Sequence, residues 1–302
     1  MDRSQIRSPF RAALALSGLT LGALTAGSAQ AAAPNAGMVW LAQTGTHRVY
    51  IAGSIHLLKP GTALPASLDH AYRDVKKIVM EIDIDDMDEN ATASFVMAHG
   101  MYSGGDTLDQ HLSATQRLRL SQAAATSGLP LPMLQMMEPW LAAITLTDLQ
   151  MAQLGLDPHS GVEEQIKQRA VADHKDISGF ETVEQQLHIF DDLPMADQIQ
   201  FLDMTLDDAA DAKNELDELT NAWLRGDDDK IARLSLRDYA RFPKLMEPLL
   251  AARNARWLPK IRALLAGNED VMILVGAAHL VGDRGVIALL AQSGVRLERV
   301  VN

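Results

Sequence analysis

Two stretches at opposite ends of this chain follow one plan. Tyr50-Ile51-Ala52-Gly53-Ser54-Ile55-His56-Leu57 and Ile273-Leu274-Val275-Gly276-Ala277-Ala278-His279-Leu280 each run as an apolar segment, a glycine, two small or apolar residues, a histidine and a leucine. A glycine at a strand end lets the backbone turn or approach a ligand closely, and the imidazole that follows is a proton carrier or a metal ligand at neutral pH. A carboxylate joins them. Glu81 lies inside Ile78-Val79-Met80-Glu81-Ile82-Asp83, where a charge is costly unless it is paired or binds something. His56, His279 and Glu81 are a ligand set for a catalytic divalent metal with a position open for water. They serve equally as a metal-free acid/base group. Singly, each has a duller explanation: a histidine after a strand is commonly a hydrogen-bonded core residue, and Glu81 is the kind of acid that pairs with a buried arginine. The repetition of Gly-x-x-His is what points to a shared site.

Strands must carry these residues. Val39 to Leu41 and Arg48 to Ala52 flank Thr44-Gly45-Thr46 like a hairpin. Ser67 to Lys77 has helical spacing, and Ile78 to Ile82 reads as a short buried strand. From about Met87 to Leu265 the pattern is mostly helical, over Ser113–Thr126, Pro139–Leu154, Ser160–Ala172, Thr182–Phe190, Met195–Leu224 and Phe242–Leu265. A short strand is expected around Ile177. Ser160 with Glu163 and Thr182 with Gln185 read as capping boxes. Val271 to Val275 is again a continuous apolar run, Gly285 to Gln292 a helix, and Val295 to Val300 a closing strand. The expectation is an α/β (α+β) fold: a split, mixed central sheet from segments 38–83 and 271–300, with a helical insertion over about 87–265. In open α/β sheets, ligands gather beyond the carboxyl ends of strands, so the two loops would meet if their strands were neighbours.

The first 31 residues read as a cleavable signal peptide. Arg3, Arg7 and Arg11 precede an apolar run from Ala12 to Ala26, and Ala29-Gln30-Ala31 is a small-x-small cleavage site. The domain expected after cleavage is 32–302, periplasmic or secreted, and free of the membrane. Removing a leader of net charge +2 takes the chain from −12 to −14, a poor partner for nucleic acid or anionic lipid. With no cysteine, thiolate nucleophiles and Cys-bound zinc are excluded, so a metal would be held by His and carboxylates. There is no Gly-x-Ser-x-Gly elbow, His-Glu-x-x-His helix or phosphate-binding Gly-Lys-Ser/Thr loop, which argues against a serine hydrolase of that type, a zincin and a nucleotide enzyme. Composition does not set the oligomeric state.

Several motifs are similar to those of the TraB/GumN family, with PrgY and the animal Tiki proteins as relatives. They are Gly53-Ser54-Ile55-His56, Leu64-Pro65, Val79-Met80-Glu81-Ile82-Asp83, Gly161-Val162-Glu163, Phe180-Glu181-Thr182-Val183-Glu184-Gln185-Gln186-Leu187, Trp223 with Gly226-Asp227, Arg253-Asn254, and Gly276-Ala277-Ala278-His279-Leu280-Val281-Gly282 with Gly285-Val286. The resemblance covers nearly the whole chain after the leader. It implies a hydrolase of peptide or ester bonds in the manner of Tiki metalloproteases and erythromycin-esterase-like enzymes. By that resemblance, His56, Glu81 and His279 are active residues and ligands of a divalent metal, manganese or cobalt, with zinc also admissible. An arginine is also implicated, falling on Arg253. Where many members read Gly-Val/Ile-Asp, this chain has Glu163, whose extra methylene changes its reach. A haem-binding branch of the superfamily keeps a second expectation open, a non-catalytic protein of the cell envelope that binds haem, metal or a peptide.

Overall fold

A computed structural model describes residues 36–44, 47–82, 88–207, 212–239 and 242–301. The segment expected to be a signal peptide, and Gly45-Thr46 of the expected hairpin turn, lie outside the described residues.

Strands β1 (Val39–Thr44), β2 (His47–Ser54), β3 (Lys77–Ile82), β4 (Asp176–Glu181), β5 (Val271–Gly276) and β6 (Glu298–Arg299) form one mixed sheet in the order β4-β3-β5-β2-β1-β6. β1 pairs antiparallel with β2 and β6, whereas β2, β5, β3 and β4 run parallel. β5 arrives from the far end of the chain and slots between β2 and β3. Its register sets Gly53 opposite Val275, Ser54 opposite Gly276 and Met80 opposite Leu274. Both Gly-x-x-His loops therefore leave the sheet side by side, with Glu81 at the same level on the next strand. β5 is buried at every position, as a parallel strand covered on both faces must be, which accounts for its unbroken apolar run.

The helices are α1 (Ala66–Asp74), α2 (Glu89–His99), α3 (Leu108–His111), α4 (Ala114–Ser127), α5 (Leu131–Gln135), α6 (Pro139–Gln153), α7 (Val162–Ala172), α8 (Val183–Asp191), α9 (Met195–Asp207), α10 (Ala212–Arg225), α11 (Asp228–Leu236), α12 (Pro243–Met246), α13 (Ala252–Leu265) and α14 (Val286–Gln292). Besides a small apolar core at Leu57 and Leu156, the described residues form two large ones. One joins the sheet to Ile166 and Ala170 of α7, Trp223 of α10, Trp257 and Ile261 of α13 and Leu290 of α14. The other is helical, built on Trp140, Leu141 and Ile144 of α6 with Phe190 of α8 and Phe201 of α9.

Two local expectations are revised, the closing strand and one capping box, and others are filled in. The helical pattern over Met195–Leu224 is α9 to Asp207 and α10 from Ala212, with residues 208–211 outside the described residues. The strand around Ile177 is a six-residue edge strand that brings in Glu181. The closing strand pairs only through Glu298 and Arg299; Arg299 is fixed there by Asp228, the carbonyls of Gly37 and Gly226, and the Trp40 ring. Finally, the Thr182–Gln185 capping box forms, but Ser160–Glu163 does not. α7 starts at Val162 behind Gly161, and Glu163 is taken elsewhere.

Candidate active site

Each functional side chain reaches the strand ends for a local reason. Trp223 donates its indole N–H to the Gly53 carbonyl at 2.7 Å, anchoring the end of β2. The loop after it is strapped to the segment before α7 by Val162 N–H to Ile55 O (3.0 Å) and Asp157 N–H to Leu58 O (3.0 Å). Gly161 lies so close that a Cβ there would be 2.0 Å from the His56 carbonyl oxygen, so no side chain fits. That contact delivers Glu163 to His56: Nδ1 of His56 lies 2.7 Å from Oε1 of Glu163, and Ser54 Oγ donates to the same oxygen. Gly276 plays the matching part opposite. A Cβ there would lie 3.2 Å from both Glu81 Oε1 and His56 Nε2; the glycine lets imidazole and carboxylate converge over the backbone.

Glu81 Oε1 accepts the Gly276 N–H at 2.7 Å, and Oε2 accepts Nη2 of Arg253 at 2.6 Å. Arg253 enters just after a π-helical turn, Glu247–Ala251, that leads into α13; such turns widen the helix and recur at functional sites. Its Nε donates to Glu181 Oε2 at 2.8 Å, and its Nη1 to Leu249 O and to Nε2 of His279 at 3.3 and 3.1 Å. Glu181 is shared with Arg256 and Gln186. Arg253, Glu81 and Glu181 form a buried network in which each charge is paired, the condition for keeping charges in an interior.

The protonation of His279 follows from its partners. Asn254 gives its amide nitrogen to the carbonyls of Arg284 and His279, so its Oδ1 faces His279 and accepts Nδ1–H at 2.7 Å. Arg253 only donates, so Nε2 accepts. His279 is the neutral tautomer, packed against the Trp257 ring at 4.5 Å. Burial pushes its pKa down to about 3; Glu81 favours a second proton there, and the Arg253 and His56 charges oppose it. His56 is the reverse. Burial also disfavours its charge, but Glu163, by charge and hydrogen bond, and then Glu81 outweigh that and raise it to about 9. For Glu81 burial is likewise the largest influence and is overcome by Arg253, His279, His56 and the Gly276 N–H, holding it well below the ordinary carboxylate range.

All four residues expected from the sequence, His56, Glu81, His279 and Arg253, thus meet. Glu163, Glu181 and Asn254 complete the site in roles the sequence did not assign. Their signal was present: Glu163 and Glu181 lie in quoted motifs, and Asn254 follows Arg253 directly. His159, another histidine near a Gly, is exposed in the Pro158–Ser160 turn and its N–H is bound by Asp157.

The divalent metal implied by the resemblance does not fit the site in this form. The Nε2 lone pair of His279 faces Arg253, its Nδ1 is committed to Asn254, and both oxygens of Glu81 have N–H partners. The cationic Arg253 guanidinium bridges Glu81 Oε2 and His279 Nε2, while Glu81 Oε1, 3.7 Å from His279 Nε2 and 4.0 Å from His56 Nε2, accepts the Gly276 N–H. Both nitrogens of His279 are equally closed to haem iron.

Above the cluster is a cavity of about 100 Å³, lying between the sheet core and the helical core. His56, Arg253 and His279 line it together with apolar residues that include Leu57, Phe190, Leu219, Met246, Leu249 and Leu250.

Fold and site together define an α/β protein with a sheet split between the chain's two ends and a paired Gly-x-x-His centre at the carboxyl ends of its parallel strands. The chain belongs to the TraB/PrgY/gumN family, whose model matches residues 38–299. It is similar to YbaP of Escherichia coli (strain K12) and YbaP of Shigella flexneri, both described as uncharacterized. Each is 24% identical over 247 residues, covering 82% of this chain and 89% of theirs. No solved structure matches.

Proposed function

We propose that this chain is a hydrolase of peptide or ester bonds that works by metal-free acid/base chemistry. The observation that carries the reading is the placement, on the floor of one apolar cavity, of two imidazoles driven to opposite protonation states; such divergence is how a site separates its acid from its base. His279 stays neutral at all pH values above about 3, and it takes a proton from water at Nε2 once the substrate draws the Arg253 guanidinium off that nitrogen, which frees the lone pair and removes a charge that lowers its pKa. His56 stays protonated up to about pH 9 and is the group suited to return one to the departing amine or alkoxide. Arg253 places four of its five N–H groups on Glu181, Leu249, His279 and Glu81; the remaining Nη2 hydrogen is the donor for a developing oxyanion. The small apolar cavity favours a substrate with a compact hydrophobic side chain or acyl group beside the scissile bond. The signal-peptide-like pattern of residues 1–31 supports action outside the cytoplasm. Among the described residues no helix is long and apolar enough to cross a membrane.

The test is turnover of a panel of fluorogenic peptides and aryl esters by wild type, His56→Ala and His279→Ala. Activity that falls as pH rises through about 9, survives EDTA and drops at least about 100-fold in both variants supports the reading. Variants as active as wild type would end it. Activity abolished by EDTA and restored by manganese or cobalt would replace the metal-free mechanism with a metal-dependent one.

A further inference from the structure

Away from the Gly-x-x-His centre, the last turn of α8 gathers another set of ligand-type side chains. Nδ1 of His188 lies 3.7 Å from Oδ2 of Asp191 and 3.6 Å from Oδ1 of Asp192. One donor atom from each of the three lies within 4.8 Å of the others. Those separations are too long for hydrogen bonds, but they match two ligands on one ion: metal–ligand bonds of about 2.0–2.2 Å in a tetrahedron put ligand atoms roughly 3.4 Å apart. Nδ1 of His188 is itself buried and has no hydrogen-bond partner, although its ring edge is partly exposed.

Two further features point the same way. Asp191 and Asp192 sit at the carboxyl end of a helix, where the macrodipole disfavours negative charge and favours a cation; a local rule broken in this way is expected where a site requires it. The rings are also fixed. Phe95 of α2 stacks on His99 at 4.3 Å and meets His188 edge-on at 4.8 Å, and Nδ1 of His99 binds Oδ2 of Asp191 at 3.0 Å. A second residue that holds a ligating carboxylate in this manner is a regular part of metal sites.

We propose that His188, Asp191 and Asp192 bind a divalent transition cation, with His99 positioning Asp191. One imidazole and two carboxylates suit zinc, cobalt or nickel better than calcium or magnesium, which take oxygen ligands throughout. Asp192 is exposed and leaves room for water to complete the coordination. Phe190, on the same turn, lines the cavity over His56 and His279, so a bound cation would stiffen that wall without touching the acid/base groups. The proposal does not depend on hydrolase activity.

The experiment uses the full chain without a polyhistidine tag, titrated with Co(II) by visible absorption and with Zn(II) by calorimetry. One ion per chain is expected, with binding about 10–100-fold weaker in His188→Ala and Asp191→Asn and about 10-fold weaker in His99→Gln. Binding in His56→Ala and Glu81→Gln should match wild type. Asp192→Asn, at an exposed position, gives the same reading should His188→Ala lose its helical circular dichroism. No binding of either ion at millimolar concentration would overturn the proposal. So would binding lost in His56→Ala and retained in His188→Ala, which would place the metal at the Gly-x-x-His centre.

Discussion

His56 and His279 share a motif and a sheet edge, and they differ in what touches their nitrogens. A carboxylate on Nδ1 keeps His56 charged; burial, with the Arg253 guanidinium beside Nε2, keeps His279 neutral. Glu163→Gln should therefore let the His56 value fall from about 9 toward the ordinary 6.5, since burial then acts without its main counterweight. NMR titration of the His56 ring measures this, and the alkaline limb of any activity should move down with it. An unchanged titration would mean that Glu163 is a neighbour without electrostatic effect. Arg253 makes a different prediction. Arg253→Ala leaves Glu81 a buried acid without its cation and takes from Glu181 one of its two arginines, and should cost about 3–5 kcal/mol in denaturant unfolding. Arg253→Lys keeps the charge but cannot make the forked contacts to Glu81, Glu181 and His279 together, so it should recover part of the stability.

The elements hold these groups by close backbone approach, and two glycines mark where. Gly161→Ala would drive a Cβ to 2.0 Å from the His56 carbonyl, and backbone on one side must move. A loss of about 1–3 kcal/mol together with loosened His56–Glu163 pairing is expected, read as a lower unfolding midpoint and a lowered His56 pKa. Gly276→Ala meets flexible side-chain ends at 3.2 Å, so stability should change little while His56 and Glu81 are pushed apart. Loss of turnover with a nearly unchanged unfolding midpoint would match; the reverse pattern would show that Gly276 serves only the fold. The same scale explains the failed capping box. Ser160 and Glu163 have the right spacing for one, but a carboxylate beside a charged imidazole is more stabilising than one returned to an exposed helix end.

For the whole molecule, the two histidines set opposite limits on stability. The folded value of His279, about 3, lies below the ordinary 6.5, so its contribution is complete above about pH 6.5 and is lost as pH falls toward 3. Glu81 acts in the same direction at still lower pH. The folded value of His56 is raised, so its contribution is complete below about pH 6.5 and is lost as pH rises through 9. Chemical unfolding measured across this range should show greatest stability near pH 6.5, and Glu163→Gln should flatten the alkaline side. A wild-type curve already flat from 6.5 to 9 would show that His56 is not held protonated in the folded protein.

The sequence by itself determined the parts that local pattern encodes: the apolar runs of β3 and β5, the repeated Gly-x-x-His, the lone acid of Ile78–Ile82, and the motifs of the TraB/PrgY/gumN family, with Arg253 among them. These were legible because burial on both faces of a parallel strand demands an unbroken apolar run, and a costly charge within one draws notice. Only the tertiary structure decided that β5 lies between β2 and β3, since strand order depends on pairing between segments at opposite ends of the chain. It also decided what the residues are. Residue type made His56 and His279 equivalent, and Glu163 a helix cap. Burial and long-range partners made one imidazole charged and the other neutral, and set the Arg253 guanidinium where spacing alone admitted a metal.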